Sequence, residues 1–313
     1  MGEQAMNGEH GVRPRALRSR SGFGFHDQRT AYRLIFPTLV VIAAVNFYPL
    51  FKGIKESFFS YSFIRPWEYG FIGFGNYIRA FQNHEFWSSL WISIVWTIGG
   101  VILSYILGLI PALLLDKKFT GRGIYRTILM IPWIVPPVVS SLTWRWMFSD
   151  LDGYINVTLR SLGIISEPIY WLSDIRLALL ACIIANVWRT YPFFMVNMLS
   201  ALSGIPDEVY EAAAVDGANK WQVFCYVTFP IILPVTVVST LLQSIWIFNN
   251  FDIIFALTGG GPAERTTTLI IRAYREAFYY LEFGQGSAIA VISMLMMLVV
   301  GMYYLRLQAR TEM

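Results

Sequence analysis

The sequence predicts an all-α integral membrane protein with six spans, and three observations carry that prediction. Of its 313 residues only 14% are charged while 56% are hydrophobic, and the mean hydropathy is +0.51; a soluble domain has about a quarter of its residues charged. Six apolar runs, at 31–51, 88–115, 124–148, 177–200, 231–257 and 284–306, are long enough to cross a hydrocarbon core roughly 30 Å thick. Basic residues, finally, cluster ahead of the first run and after the last.

Residues 1–30 are rich in Arg, Gly and Ser, with Arg13, Arg15, Arg18 and Arg20 ahead of the first span. A disordered tail of this kind is a cytoplasmic topology determinant. It is not read as a cleavable signal peptide, because the apolar run that follows is span-length and no small-residue cleavage motif closes it. An even number of spans returns the C-terminus, with Arg306 and Arg310, to the same side. The loop 116–123, with Lys117, Lys118 and Arg122, then faces the cytoplasm, as does the loop at 204–230. Outward loops also carry Lys52, Lys55, Arg65, Arg79, Arg265, Arg272 and Arg275, so the charge bias rests on the tail and the first inner loop. Two glycine-punctuated outer stretches stand out: Phe71-Ile72-Gly73-Phe74-Gly75-Asn76-Tyr77, a turn leading into an amphipathic helix, and the turn Thr258-Gly259-Gly260-Gly261-Pro262. Cys182 and Cys225 fall in an apolar run and on a helical face, which points to packing and not to a disulfide framework. The pI near 9.0 reflects charges flanking spans, since no basic stripe marks a nucleic-acid surface.

The spans contain no catalytic constellation: the three histidines, His10, His26 and His84, lie in the tail and an outer loop, and neither a Cys/His cluster nor a phosphate-binding Gly-x-x-x-x-Gly-Lys-Ser/Thr occurs. What they do contain is polar side chains at membrane depth: Arg145, Asn186, Arg189, Gln243, Asn249, Asn250 and Asp252. Bilayer energetics discourage these unless they face a cavity or another helix. Singly, each is more readily interhelical glue or a snorkelling side chain than a solute contact; as a set they argue more strongly for a pathway. Prolines 132, 136, 137 and 192 are expected to break the helical ladder, and irregular backbone at this depth is tolerated where it is buried or lines water.

Between the fourth and fifth runs lies a polar island, Glu211 to Pro234, preceded by Asp207 and Glu208. Ile205-Pro206-Asp207-Glu208 reads as a helix start, with proline in the first turn and carboxylates at the positive end of the dipole. Gly217 ends that helix, and Asn219 with Gln222 three residues later forms a capping-box pattern for a second short helix carrying Trp221, Phe224 and Cys225 on one face. The expected product is a rigid helical bracket facing water.

At these residues the chain resembles a known family. Glu211-Ala212-Ala213, Gly217, Val227, Phe229 and Pro230 match the EAA loop of ABC importer permeases, with Val227 and Phe229 replacing the family's isoleucine and leucine. Asp216-Gly217-Ala218 and Leu202-Ser203-Gly204-Ile205-Pro206 resemble its carbohydrate branch, the maltose and glycerol-phosphate permeases. The resemblance, which extends over nearly everything after residue 30, implies a type I ABC importer permease fold in a bacterial inner membrane. It implies that the loop docks on a cytoplasmic ATPase through Glu211, Ala212, Ala213, Asp216 and Gly217. Implied partners are a homologous second permease, two ATPase copies that carry the ATP and magnesium, and an extracytoplasmic solute-binding protein; this chain itself would hold no cofactor or metal. The family's solute contacts map here onto Trp133 and Pro137, then Asn186, Arg189 and Thr190, then Gln243, Ile247 and Asn250. Indole stacking and amide hydrogen bonds suit a sugar, and the guanidinium of Arg189 would suit an anionic sugar derivative. Ile247 and Pro137 depart from the hydrogen-bonding types of the maltose permease.

Two other classes are compatible with a six-span chain. A secondary transporter also uses broken helices and midplane polar groups, but Asp252 is its one candidate for an ion-coupling carboxylate in the spans. An integral-membrane enzyme would require a nucleophile, metal or acid/base set that this sequence does not display.

Overall fold

The computed structural model describes residues 25–117 and 119–311. The basic tail up to residue 24, Lys118 and the last two residues lie outside this range. The chain divides into two compact units at Phe51/Lys52. In the first, α1 (Phe25–Ile42) begins inside the stretch assigned from sequence to the tail and continues through a π turn at Ala43–Phe47 into the start of α2 (Tyr48–Glu56), a helix that the unit boundary divides. Asn46 reconciles its amide with the apolar run by donating to the Ile42 carbonyl at 3.0 Å.

The second unit opens with a two-stranded antiparallel ribbon, β1 (Phe59–Ser60) and β2 (Gly70–Phe71), followed by α3 (Gly75–Gln82) and α4 (His84–Asp116). Then come α5 (Arg122–Ile134), α6 (Pro137–Met147), α7 (Tyr154–Ser161) and α8 (Ala178–Leu202). The chain continues through α9 (Asp207–Val215), α10 (Lys220–Val223) and α11 (Phe229–Phe248), and ends in α12 (Asp252–Thr258), α13 (Leu269–Tyr274) and α14 (Phe283–Thr311).

Among the described residues, five helices are long and apolar enough to cross a membrane, and a sixth crossing is possible if the bent pair α5–α6 counts as one. That pair covers the run 124–148 and is broken where prolines were expected to break it, at Pro136 and Pro137 but not at Pro132, which lies inside α5; its two arms meet at 92°. Pro136 and Pro137 are the cause: neither offers an N–H to the ladder, and Val135, which precedes Pro136, is held extended. Pro192, by contrast, is accommodated inside an unbroken α8. The fifth run is also shorter than its hydropathy suggests. Its helix stops at Phe248, and residues 252–258 form the separate α12. At its start it is longer, since α10, a π turn at Phe224–Thr228 and α11 form one continuous helix from Lys220 to Phe248.

The centre of this unit is the pairing of α4 with α8. Gly108 makes their close approach possible: a Cβ there would lie 2.6 Å from the Cβ of Phe194, 2.7 Å from the Tyr191 carbonyl and 2.8 Å from the Met195 amide. Around the pair lie three apolar clusters. One joins Trp96, Val187, Phe194 and Ile247; Trp96 also donates its indole N–H to the Ile247 carbonyl at 2.8 Å. Another joins Ala112, Met195, Met198, Leu202 and Ile232 and receives Val209 and Tyr210 of α9. The last joins Phe86, Phe248, Leu269 and Ile289. Cys182 is buried in the first cluster, Cys225 is partly buried, and both are free thiols.

Polar groups outside the spans are tied with equal care. Asn156 is fully buried and saturated: its Nδ2 donates to the carbonyls of Asp150 and Ile169, and its Oδ1 accepts from Ile169 N and Trp171 Nε1. Arg272, 1% exposed, pairs with Glu85 at 2.6 Å and with Glu264, joining the segment after α12 to the first turn of α4. A buried arginine stripped of either carboxylate would be strongly destabilising.

Candidate functional site

Seven of the eight residues assigned to a solute pathway line one cavity of about 200 Å3: Trp133 from α5; Asn186, Arg189 and Thr190 from α8; Gln243 and Ile247 from α11; and Asn250 from the break that follows it. The spacing explains the convergence. Asn186, Arg189 and Thr190 fall at i, i+3 and i+4 on one face of α8, and Gln243 and Ile247 at i and i+4 on α11. Pro137 is not part of the lining; it serves as the first residue of α6 beyond the bend. Two aromatic residues complete the wall, Phe193 and Trp246. Both sit one turn from assigned residues, Phe193 at i+4 from Arg189 and Trp246 at i+3 from Gln243, so helical extension of the polar face could have found them. Phe193 is in ring contact with Trp133 at 6.3 Å and with Trp246 at 5.2 Å, forming an aromatic wall opposite the amides.

The polar side of the cavity is unusual in its hydrogen bonding. Asn186 is fully buried, yet neither its Oδ1 nor its Nδ2 has a protein partner; the same holds for Oε1 of Gln243 and Nε of Arg189. Buried polar groups in native structures are overwhelmingly paired, so four unpaired polar atoms on three residues that line one cavity form a cluster that stands out. Arg189 forms no ion pair among the described residues, although the Asp252 carboxylate acts on it electrostatically. Thr190 and Ile247 have different functions from the rest. The Thr190 hydroxyl donates to the Asn186 carbonyl and is hydrogen-bonded to Ser104, both at 2.7 Å, so it is committed to the α4–α8 contact. Ile247 is 1% exposed and meets Gly100, which leaves its side chain a packing element of the floor. Asn250, one residue before the N-cap of α12, accepts from Ile253 N in the first turn of that helix at 3.1 Å. Of the other polar residues at membrane depth, Arg145 donates to the Ala256 carbonyl at 3.3 Å and Asn249 to the Ile245 carbonyl at 2.8 Å.

The polar island forms the expected bracket. α9 starts after Pro206 with Asp207 and Glu208 in its first turn, and it ends where Gly217 turns left-handed at φ +74°. Asn219 and Gln222 then close a reciprocal capping box, with Oδ1 of Asn219 accepting from Gln222 N at 3.0 Å and Oε1 of Gln222 accepting from Asn219 N at 2.9 Å. The second helix is not a separate short element, however; it is the first turn of the rod that ends at Phe248. Trp221 stacks on Phe224 at 5.8 Å. Glu211, Ala212, Asp216 and Gly217 are exposed, while Ala213 is buried and faces the body of the unit, on the same side as Ile205 and Val209. Val215, 88% exposed, is an apolar side chain on the outward surface that the motif did not single out.

Span-length apolar helices around an unsatisfied polar cavity, with a solvent-exposed helical bracket leading directly into one of them, define a multi-pass membrane permease subunit. Residues 100–313 match the family of binding-protein-dependent transport system inner membrane components, and the chain belongs to that family. It is 35% identical over 283 residues to the trehalose/maltose transport system permease protein MalF of Thermococcus litoralis, covering 90% of this chain and 94% of that one. It is 34% identical over 281 residues to the sulfoquinovosyl glycerol transport system permease protein SmoG of Agrobacterium fabrum, covering 90% and 91%. Among solved structures, a bacterial ABC transporter involved in the import of the acidic polysaccharide alginate shares the fold, with a TM-score of 0.78 at 21% identity over 91% of this chain and 96% of that one. The type I importer permease fold expected from the EAA resemblance is the fold found.

Proposed function

We propose that this chain is one of two homologous permease subunits of an ATP-driven importer for a saccharide or glycoside. The observation that carries the reading is the cavity: Asn186, Arg189 and Gln243, which hold four buried polar atoms without protein partners, line it together with Trp133, Phe193 and Trp246. A pyranose has an apolar face for an indole and a rim of hydroxyls for amides, which is the mixed lining of a ligand site. At about 200 Å3 the cavity is smaller than the roughly 300–1,000 Å3 of a complete small-molecule site, which favours a second permease supplying the rest. The names of the relatives, among them trehalose/maltose and sulfoquinovosyl glycerol permeases, support a sugar as cargo.

In this reading the termini and the bracket lie on the cytoplasmic side. Glu211, Ala212, Asp216 and the exposed Val215 meet an ATPase that holds ATP and magnesium, Ala213 lets α9 lie close to the body, and Gly217 sets the angle between α9 and the rod. A solute-binding protein delivers cargo from outside, as the periplasmic protein in a solved complex of the alginate transporter suggests. ATP-driven closure of the ATPase pair moves the bracket, and the helices alternate between two states around the cavity.

The test is to co-purify the chain with its bound proteins, reconstitute the complex in proteoliposomes, and measure uptake of radiolabelled trehalose, maltose, diacetylchitobiose and sulfoquinovosyl glycerol. ATP-dependent import of one of them, stimulated by a loaded binding protein, is expected. Uptake driven by an ion gradient without ATP would overturn the reading. Arg189 favours an anionic cargo within the same class, because its guanidinium, although within electrostatic reach of Asp252, has no ion-pair contact among the described residues and can bind an anion with charge-assisted hydrogen bonds. Arg189→Gln is expected to abolish uptake of the sulfonated sugar while the complex still assembles; undiminished uptake would show that the guanidinium has no part in recognition.

A further inference from the structure

A second pocket, of about 480 Å3, lies beyond the end of the fifth span, lined by Phe255, Gly259, Tyr274, Arg275, Phe278, Tyr279 and Tyr280. Its walls come from three elements: α12, the glycine turn after it, and α13 with the π turn Arg275–Tyr279. The turn explains how a charged side chain is fixed there. Gly259 ends α12 in the left-handed conformation at φ +61°, and its carbonyl accepts from Nη2 of Arg275 at 2.8 Å. Gly260, at φ +96°, leaves no room for a Cβ, which would lie 2.7 Å from Oγ1 of Thr267 and 3.1 Å from Nη2 of Arg275. Glu264 holds the other guanidinium nitrogen, Nη1, at 3.1 Å. The glycine motif and Glu264 therefore fix an ion-paired guanidinium in the pocket wall, and most of the remaining lining is aromatic.

The aromatic rings continue inward. Phe278 contacts Tyr274 at 5.1 Å, Tyr274 contacts Phe251 at 4.9 Å and Phe255 at 5.3 Å, and Phe251 stacks on Phe255 at 4.6 Å. Phe251 directly follows Asn250, a residue of the central cavity. In the pocket lining the hydroxyls of Tyr274, Tyr279 and Tyr280 have no hydrogen-bond partner among the described residues, so each is free to donate or accept; of the three, Tyr274 belongs to the ladder.

We propose that this pocket is a second saccharide subsite, a staging position at the outer mouth from which a sugar passes along the aromatic ladder to Asn250 and the central cavity. The chemistry is that of carbohydrate recognition: flat rings for the apolar face of a pyranose, free phenol hydroxyls for its rim, and a guanidinium whose geometry is already fixed. Its volume falls within the roughly 300–1,000 Å3 of small-molecule sites, so it can hold a disaccharide unit without help from a partner. The inference rests on the saccharide-importer reading above.

The experiment uses the reconstituted complex with partner permease, ATPase and binding protein, and whichever of the four labelled sugars the wild type imports. Tyr279, 76% exposed, and Phe278, 59% exposed, can be truncated with little effect on folding. Phe278→Ala/Tyr279→Ala and Tyr279→Ala alone are compared with Tyr279→Phe, alongside the affinity of the complex for loaded and for empty binding protein. The double variant is expected to lose about tenfold in uptake rate at saturating loaded binding protein, equivalent to roughly 1.4 kcal/mol, with Tyr279→Phe retaining most of the rate and the affinity for binding protein unchanged. Wild-type uptake with no loss in either alanine variant would overturn the subsite alone. Equal weakening of loaded and empty binding protein would also overturn it, by making the patch a protein-docking surface. If the wild type takes up sugar on an ion gradient without ATP, it is the importer reading that fails.

Discussion

Replacing Asn186 with leucine should make the protein more stable and less active at the same time. Asn186 is fully buried, and both polar atoms of its amide lack a protein partner. A buried polar group without a hydrogen bond costs about 1–3 kcal/mol. Asn186 lines the cavity, where a small shift of its side chain would let the amide meet water, so the lower end, about 1 kcal/mol, is the reasonable figure for the gain from an apolar side chain of similar shape. A leucine facing a bound sugar does the opposite to transport. It removes a hydrogen bond and leaves a sugar hydroxyl unpaired against an apolar surface, for a loss of roughly tenfold to a hundredfold in uptake. Thermal unfolding of the purified complex in detergent, followed alongside sugar uptake in proteoliposomes, reads both effects on one sample. A variant that unfolds earlier than wild type would show that the amide is satisfied structurally. One that transports normally would remove Asn186 from the pathway, and with it the argument from unpaired atoms.

Other substitutions test other parts of the molecule. Gly217→Pro cannot adopt φ +74° and should uncouple ATP hydrolysis from uptake, whereas Gly217→Ala, with no atom within 4 Å of its Cβ, should be milder; unaltered ATP-to-sugar stoichiometry in the proline variant would refute the coupling role. Gly108→Leu should prevent the α4–α8 approach and reduce recovery of folded protein, by overpacking worth about 1–3 kcal/mol or more, checked by size-exclusion profile and thermal stability. The carboxyl of Glu276, in the segment between the last two spans, is held above the usual carboxylate range chiefly by burial, partly opposed by the Arg272 guanidinium and reinforced by Glu85, Glu282 and Glu264. Because its folded-state pKa is raised, its favourable contribution is fully present below the unfolded value near about 4.3 and is lost as pH rises through the folded one. Glu276→Gln should therefore unfold at a higher temperature than wild type at neutral pH, with the difference disappearing on acidification; a difference independent of pH would contradict this.

Much of the candidate site is readable along the chain because helical spacing is a local rule. Asn186, Arg189 and Thr190 share a face of α8 whatever surrounds them, and the Asn219–Gln222 capping box needs only four consecutive residues. What hydropathy does not report is direction. The run 124–148 is apolar throughout, yet Val135, Pro136 and Pro137 turn it by 92°, because apolar composition is indifferent to whether a helix continues or bends. For the same reason the break at Asn249–Phe251 is hidden inside a hydrophobic stretch, and Pro137, assigned to the cavity by resemblance, starts a helix instead. The roles of Thr190 and Ile247 depend on Ser104 and Gly100, partners more than eighty residues away in α4, which no local pattern specifies.

The unbroken helix from Lys220 to Phe248 has a mechanical consequence. At 1.5 Å per residue, the bracket end at Lys220 and the cavity residue Gln243 are separated by about 35 Å of one stiff element. A tilt of about 10° around its midpoint would carry each end through about 3 Å, in opposite directions. Motion imposed at the bracket would thus reach Gln243, Trp246 and Ile247 as leverage, with no relay of intervening side chains, and the cavity end would move as soon as the other end is pushed.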